Sequence, residues 1–316
     1  MPELPEVEIT ARRLDAALRG ARVESALAPG INALKTFDPP LAALVGRKIA
    51  GVGRRGKHLI VEIGLGPDAG SGTGLRGAPG ELAEDPAARA RKADGELADG
   101  ELVLLIHLMS AGRLQLFDKR ATPRDRTSRV LVRTDDGREL RLREFGSKQA
   151  AWAKLLAASE LGRDDSLTRL GPEAWPDPPE LGALLDAPRP LHAMLRDQHV
   201  LAGIGRSWVD EILWEARLSP FKRGADLQGD EPRRLREATI AVLGGAIAHY
   251  ESAVQLPIPD KLPMPLRVHR HEGEPCPRCQ TALRAVHFED YVIAYCPTCQ
   301  TDGRVLKDRR LSRLLK

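Results

Sequence analysis

Apolar residues recur at helical spacing over residues 2–19. Leu4, Val7, Leu14 and Leu18 fall on one face, Pro2 and Pro5 stand where a first turn tolerates a missing N–H, and Gly20 provides a stop. From residue 22 the pattern changes to short apolar or alternating runs split by glycine and proline. This predicts strands at Arg22–Leu27, Lys48–Gly53, His58–Ile63, Leu102–His107, Arg113–Phe117, Val130–Thr134 and Glu139–Arg143, with Asp136-Gly137 as a tight turn before the last. Helical text begins at Gln149–Leu156. Beyond residue 166 the chain reads as mostly helical, with candidates at Pro179–Leu185, Leu191–Asp197, Ser207–Ala216 and Glu231–Tyr250. Trp208, Ile212 and Ala216 share a face of the third, and Asp230 as N-cap with Pro232 in the first turn opens the last. No internal repeat is present. A helix, many strands, then helices predicts an α+β multidomain protein that opens with a helix and a β-sandwich.

Composition alters this picture in one place. Residues 64–100 hold nine glycines, no aromatic residue and no isoleucine, with seven acidic against four basic side chains. That text predicts a flexible insertion in a strand–strand connection. The whole chain has 316 residues and is 42% hydrophobic, which excludes wholesale disorder and suggests more than one domain. No apolar run approaches the roughly 20 residues of a membrane helix. The start, Met1-Pro2-Glu3-Leu4-Pro5-Glu6, is acidic and unlike a secretory signal, so the expectation is a cytoplasmic monomer without a membrane partner. With 48 basic and 44 acidic residues, the net charge of +4 hints only mildly at a polyanionic partner.

The four cysteines change that reading. All lie in the last 41 residues, as Cys276-x2-Cys279, sixteen residues, then Cys296-x2-Cys299. Each pair offers two sulfurs from one turn, the spacing of a structural tetrathiolate zinc site, with one Zn2+ expected as cofactor. Four thiolates close the tetrahedron, so chemistry at the metal is not expected. Residues 261–316 carry eleven Lys/Arg against six Asp/Glu, so this module and its tail suit a phosphate backbone.

The N-terminus carries its own chemistry. Initiator Met before a small residue is normally removed, leaving a secondary amine on Pro2. Such an amine attacks a sugar C1′ and gives an iminium directly. An α-amino group has a reference pKa of roughly 8, so a neutral fraction exists at physiological pH. Glu3 is adjacent and can move a proton. By composition alone, the same text also reads as a helix start with acidic residues favoured by the dipole.

Pro2–Glu8 resembles the start of the formamidopyrimidine-DNA glycosylase / endonuclease VIII family, with Leu4 favouring the formamidopyrimidine branch. Arg54–Leu59 is similar to the family's lysine strand, His107–Leu114 to its following strand and turn, and Arg143-Glu144-Phe145-Gly146 to the loop that probes the duplex. Asp197–Gly205 followed by Asp210–Leu213 resembles the helix–two-turn–helix motif, and the cysteines complete the order. The resemblance implies an N-terminal catalytic β-sandwich domain over 1–157, a helix–two-turn–helix DNA-binding domain over 166–262 and a zinc-finger hairpin with basic tail over 263–316.

It also implies roles. Pro2 is the expected nucleophile, Glu3 the general acid/base, Glu6 a carboxylate that organises water, and Lys57 a phosphate ligand assigned to elimination. Damaged double-stranded DNA is the implied partner. Phe145 matches the wedge that fills the gap of a flipped base, and Arg143 the arginine on the orphaned partner base. Gly205 allows close approach of a phosphate to the next helix. Met109, Arg129, His192, Arg206 and Arg304 complete the candidate DNA contacts. The implied activity is excision of oxidised or ring-opened bases through a Schiff base, then β-elimination; an enzyme restricted to abasic sites and a non-catalytic damage-binding protein are the alternatives.

Four positions depart from the family pattern. Met109-Ser110-Ala111 replace the usual Gly-Met pair after His107-Leu108, Arg206 replaces an Asn, His192 replaces a Lys, and Tyr291 replaces the hairpin Arg linked to δ-elimination. Arg206, with Arg304 as second candidate, is expected to take over phosphate gripping, and β-product to exceed δ-product.

Overall fold

The computed structural model describes residues 2–30, 32–65, 100–122, 125–145 and 149–307. The expected insertion at 64–100 falls almost wholly outside these residues, as does the tail beyond 307. The chain gathers into two compact units, Met1–Thr168 with Tyr250–Leu262, and Arg169–His249 with Pro263–Lys316. No helix among the described residues is long and apolar enough to cross a membrane.

In the first unit, helix α1 (Leu4–Leu18) packs on strands of both sheets. One four-stranded antiparallel sheet has the order β1 (Val23–Leu27), β6 (Ser128–Thr134), β7 (Glu139–Glu144), β5 (Gly112–Phe117). The other runs β2 (Ile49–Arg55), β3 (His58–Ile63), β4 (Leu102–His107), β8 (Trp152–Ala157). A single core joins them: Val7, Leu14 and Leu18 of α1 meet Leu59 and Val61, Leu104 and Ile106, and Leu114, Val130 and Leu142. The period-2 alternation of β5 and β7 puts these leucines inside and Arg113, Gln115, Arg141 and Arg143 on the outer face. Truncating Leu104 to Ala would cost about 2–5 kcal/mol through lost transfer energy and a residual cavity.

The helical expectation for Gln149–Leu156 is wrong. Ala, Leu and Lys suit a helix by propensity, but the segment is strand β8, paired with β4 from Leu102↔Ala157 to His107↔Trp152. Its other edge is also occupied: Lys35 N–H donates to Ala153 O and Ala153 N–H to Ala33 O, both at 2.8 Å. Ala153 and Leu155 enter the main core, while Leu156 joins Ile60, Val103 and Leu105 on the opposite face of the sheet. Two waiting partner edges and burial on both faces outweigh a weak helical preference.

The second unit contains α2 (Leu191–Arg196), α3 (Arg206–Glu215) and most of α4 (Glu231–Ala253). A hairpin, β9 (Arg284–His287) and β10 (Val292–Tyr295), precedes the short helix α5 (Pro297–Thr301). Two carboxylates on α3, each 1% exposed, fasten these pieces. Asp210 Oδ2 lies 2.7 Å from His269 Nδ1 and accepts the Ala294 N–H at 3.0 Å. Glu211 Oε1 accepts the N–H groups of Val268 and His269 at 2.8 Å. Buried carboxylates are tolerated only with such partners.

Candidate functional site

The first turn of α1 is locked by a reciprocal capping box. Glu3 is the N-cap, its side chain accepts the Glu6 N–H, and its own N–H donates to Glu6 Oε2 at 2.8 Å. Glu6 Oε1 accepts the hydroxyl of Tyr250 at 2.7 Å. Glu3 and Glu6 are 2% and 4% exposed, and Pro2 is buried beside them. Burial pushes the Tyr250 phenol up, and Glu6, through its charge and hydrogen bond, and Glu3 push it further, so it stays a donor. Tyr250 has no signal in the sequence, because its partner lies 244 residues away.

Lys57 occupies the two-residue turn between β2 and β3, next to Gly56 at φ +56°, and is 5% exposed. Cross-strand pairing places His58 beside His107 and His107 beside Trp152. The histidine rings meet edge to face at 4.6 Å. Burial holds His58 down to about 4. Burial, then His58 and the Lys57 charge, hold His107 down to about 3. Both rings are therefore neutral at physiological pH, with the charges of Lys154 and Arg55 acting on His58 and that of Lys57 on His107. His107 Nδ1 accepts the Met109 N–H at 3.0 Å.

Met109 itself is left-handed, at φ +50°. This explains the glycine usual at that position, since a residue with a Cβ pays about 1–2 kcal/mol there. The turn cannot relax, because Gly112 N–H donates to Leu108 O and a Cβ on Gly112 would lie 2.4 Å from that oxygen. Met109 is half-buried and Ser110 exposed.

Arg143 and Phe145 come together at the end of β7, with the guanidinium 4.7 Å from the ring centre. Arg143 Nε donates to Thr127 Oγ1 and Nη1 to Gln115 Oε1, both at 3.0 Å. Arg129 is 7% exposed and donates to Gln149 Oε1 at 2.6 Å. Gly146, in the same expected loop, lies outside the described residues.

In the second unit, Gly203 at φ +108° turns the chain into α3, with Gly205 as N-cap and Arg206 the first helical residue. Arg206 donates to the Asp290 carbonyl at 2.6 Å and pairs with its carboxylate at 2.8 Å. Tyr291, where the family pattern has Arg, stacks on Phe288 at 4.5 Å. The guanidiniums of Arg196 and Arg206 lie 4.4 and 5.4 Å from its ring centre. Arg304 is exposed just after α5. His192 lies on α2. It is 2% exposed, parallel to Tyr291 at 6.1 Å, with Nε2 3.3 Å from Asp210 Oδ1.

The four cysteine sulfurs lie within 4.8 Å of one another. Trp214 Nε1–H donates to Cys276 Sγ at 3.3 Å, and the Cys299 N–H donates to Cys296 Sγ at 3.5 Å. N–H groups aimed at sulfur favour thiolates, so this donor set fits a single metal ion.

Comparison with known proteins follows these lines. The formamidopyrimidine-DNA glycosylase N-terminal domain matches residues 1–147, and the formamidopyrimidine-DNA glycosylase H2TH domain matches residues 181–257. The chain is 31% identical to a formamidopyrimidine-DNA glycosylase of Chloroflexus aurantiacus, over 95% of this chain and 98% of that one. It is also 31% identical to one of Thermus thermophilus, over 96% and 100%. A crystal structure of the Lactococcus lactis Fpg with an abasic site containing DNA superimposes with a TM-score of 0.74, at 25% identity, over 95% and 99%.

Proposed function

Since the chain belongs to the formamidopyrimidine-DNA glycosylase family, we propose that it is a base-excision repair enzyme that removes oxidised or ring-opened bases from duplex DNA and then cuts the strand as an abasic-site lyase. The observation that carries this reading is the buried first turn of α1, where Glu6 takes one donor from Glu3 and another from Tyr250 beside Pro2.

The Pro2 nitrogen acts as a free amine, so the reading requires removal of Met1. The neutral amine attacks C1′ of the damaged nucleoside. The N-glycosidic bond breaks and the base leaves with its electron pair, taking a proton from solvent water, while Glu3 accepts the proton of the Pro2 ammonium and delivers it to the sugar ring oxygen as the ring opens. The resulting iminium withdraws electrons from C2′. Loss of a C2′ proton to water then expels the 3′ phosphate, and water hydrolyses the remaining conjugated iminium to the aldehyde, releasing Pro2. Glu6 holds the first turn in place, with lone pairs left for water. Lys57, buried beside two neutral histidines, meets the phosphate next to the lesion. Arg143 and Phe145 face the gap left by the flipped base.

Cys276, Cys279, Cys296 and Cys299 would hold one Zn2+. Four thiolates would complete a structural site, which would tie the hairpin together and supply no reactive position. Arg206 and Arg196, arranged around Tyr291, supply the phosphate charge that the hairpin lacks, so β-elimination product exceeds δ-product.

Borohydride reduction tests this. Trapping on duplexes with either a damaged base or an abasic site is expected, and Pro2→Gly should abolish nearly all of it. Trapping on the abasic duplex alone would restrict the enzyme to lyase chemistry, and none on either would leave a damage-binding protein.

A further inference from the structure

Gln115 has no place in that reaction, yet it joins two parts of the first unit. It lies on the outer face of β5 and is 3% exposed. Its carboxamide has partners on both sides. Arg143 Nη1 donates to Oε1 at 3.0 Å. Nε2 donates to Asp260 Oδ1 at 3.0 Å and to the carbonyl of Ile258. Chemistry dictates this orientation: a guanidinium has no acceptor and a carbonyl no donor, so the flipped amide would lose these bonds.

The segment that Gln115 grips continues directly from the catalytic end. Tyr250, bonded to Glu6, opens the stretch Tyr250–Leu262 that packs in the first unit. Arg113 fastens the same stretch through Nε to Asp260 O at 2.7 Å, and it feels the charge of Glu6. A continuous path therefore runs from Arg143 through Gln115 to Ile258 and Asp260, and back along the chain to Tyr250. Arg143 Nη1 also lies 3.6 Å from Asp260 Oδ1, at the exposed end of the segment, but among the described residues Gln115 is the link that bonds both Arg143 and the main chain of the segment.

We propose that Gln115 is a positioning residue that couples Arg143, placed to meet the base opposite a lesion, to the Tyr250–Asp260 segment, so that partner-base identity is expressed in the rate of chemistry as well as in binding. This rests on the glycosylase reading above. Arg143 drawn toward a preferred partner base keeps its Gln115 bond and holds the segment in register. A base that pulls Arg143 away breaks the bond and loosens the segment under Tyr250.

The test measures single-turnover excision rates and dissociation constants on duplexes carrying one lesion opposite each of the four bases. Wild type should span about tenfold or more between best and worst partner in rate, the discrimination of a good arginine–base contact. Gln115→Met, similar in volume but without hydrogen bonds, should compress the rate ratio to within about twofold. Gln115→Glu still accepts from Arg143 but sets a carboxylate against Ile258 O and Asp260. It should lose the rate ratio while keeping the binding ratio. A purely structural role would slow all four duplexes alike and leave the ratio intact. That result, or a wild type whose rate ignores the partner base, overturns the coupling. A wild type that excises nothing from any duplex overturns the glycosylase reading itself, and the coupling with it.

Discussion

In the first unit, Pro2, Glu3 and Glu6 are four residues apart at most, and one helical turn assembles them. In the second, Tyr291 lies on the β9–β10 connection, Arg196 ends α2 and Arg206 begins α3. In the proposed reaction the α1 group depends on one atom, the Pro2 nitrogen, that no neighbour can replace. Around Tyr291 that proposal needs only positive charge near a phosphate, and charge can be supplied from any side chain that reaches. Three of the four departures from the family's pattern, at positions 192, 206 and 291, fall in the second unit; the fourth, at 109–111, is in the first, while the Pro2–Glu8 text is intact.

The comparison can be broken most severely at the thiol cluster. Stripping the metal with a chelator should weaken binding to abasic duplex by a factor of ten or more, because ~10–16 kcal/mol of metal affinity organises such modules. The melting of the first unit should stay in place. Equal affinity before and after chelation would detach DNA binding from the hairpin.

Tyr250→Phe is the next largest effect. It leaves Glu6 Oε1 without its phenolic donor in a buried site, a loss of about 1–3 kcal/mol. Trapping should slow by roughly tenfold with DNA affinity retained, as the corresponding share of that energy. Unchanged trapping would show that the local turn suffices without its distant partner.

The smallest effect is expected at Arg206. Its pairing with Asp290 is exposed and therefore weak, so a phosphate can displace it. Arg206→Ala should reduce the salt dependence of duplex binding by about one phosphate contact, and Asp290→Asn should strengthen binding. An Arg206→Ala protein with full affinity would return the phosphate role to Arg304 or Arg196.

Much of this was legible beforehand because its cause is local. α1 starts with a capping box written into Glu3 and Glu6, and the hairpin turn Asp136-Gly137 is set by its own residues. The Cys-x2-Cys pairs announce a cluster because spacing alone puts two sulfurs on one turn. The segment Trp152–Ala157 was misread for the opposite reason. Its conformation is decided by β4 and by residues 33–36, which lie far away in sequence. His192 is a candidate DNA contact by its place in a motif, and its buried position beside Asp210 and Tyr291 shows only in the fold.

By itself, then, the sequence determined the elements whose hydrogen bonds close within a few residues and the cysteine spacing that gathers four sulfurs. Tertiary structure alone decided that Tyr250 completes the Glu6 carboxylate, that two arginines flank Tyr291, and that Gln115 spans Arg143 and Asp260. The physical reason is one of range. A capping box or a thiolate pair is stabilised by atoms within one turn, so its residues must appear together. A bond across 145 or 244 residues exists only after the chain has folded, and no local pattern marks either partner.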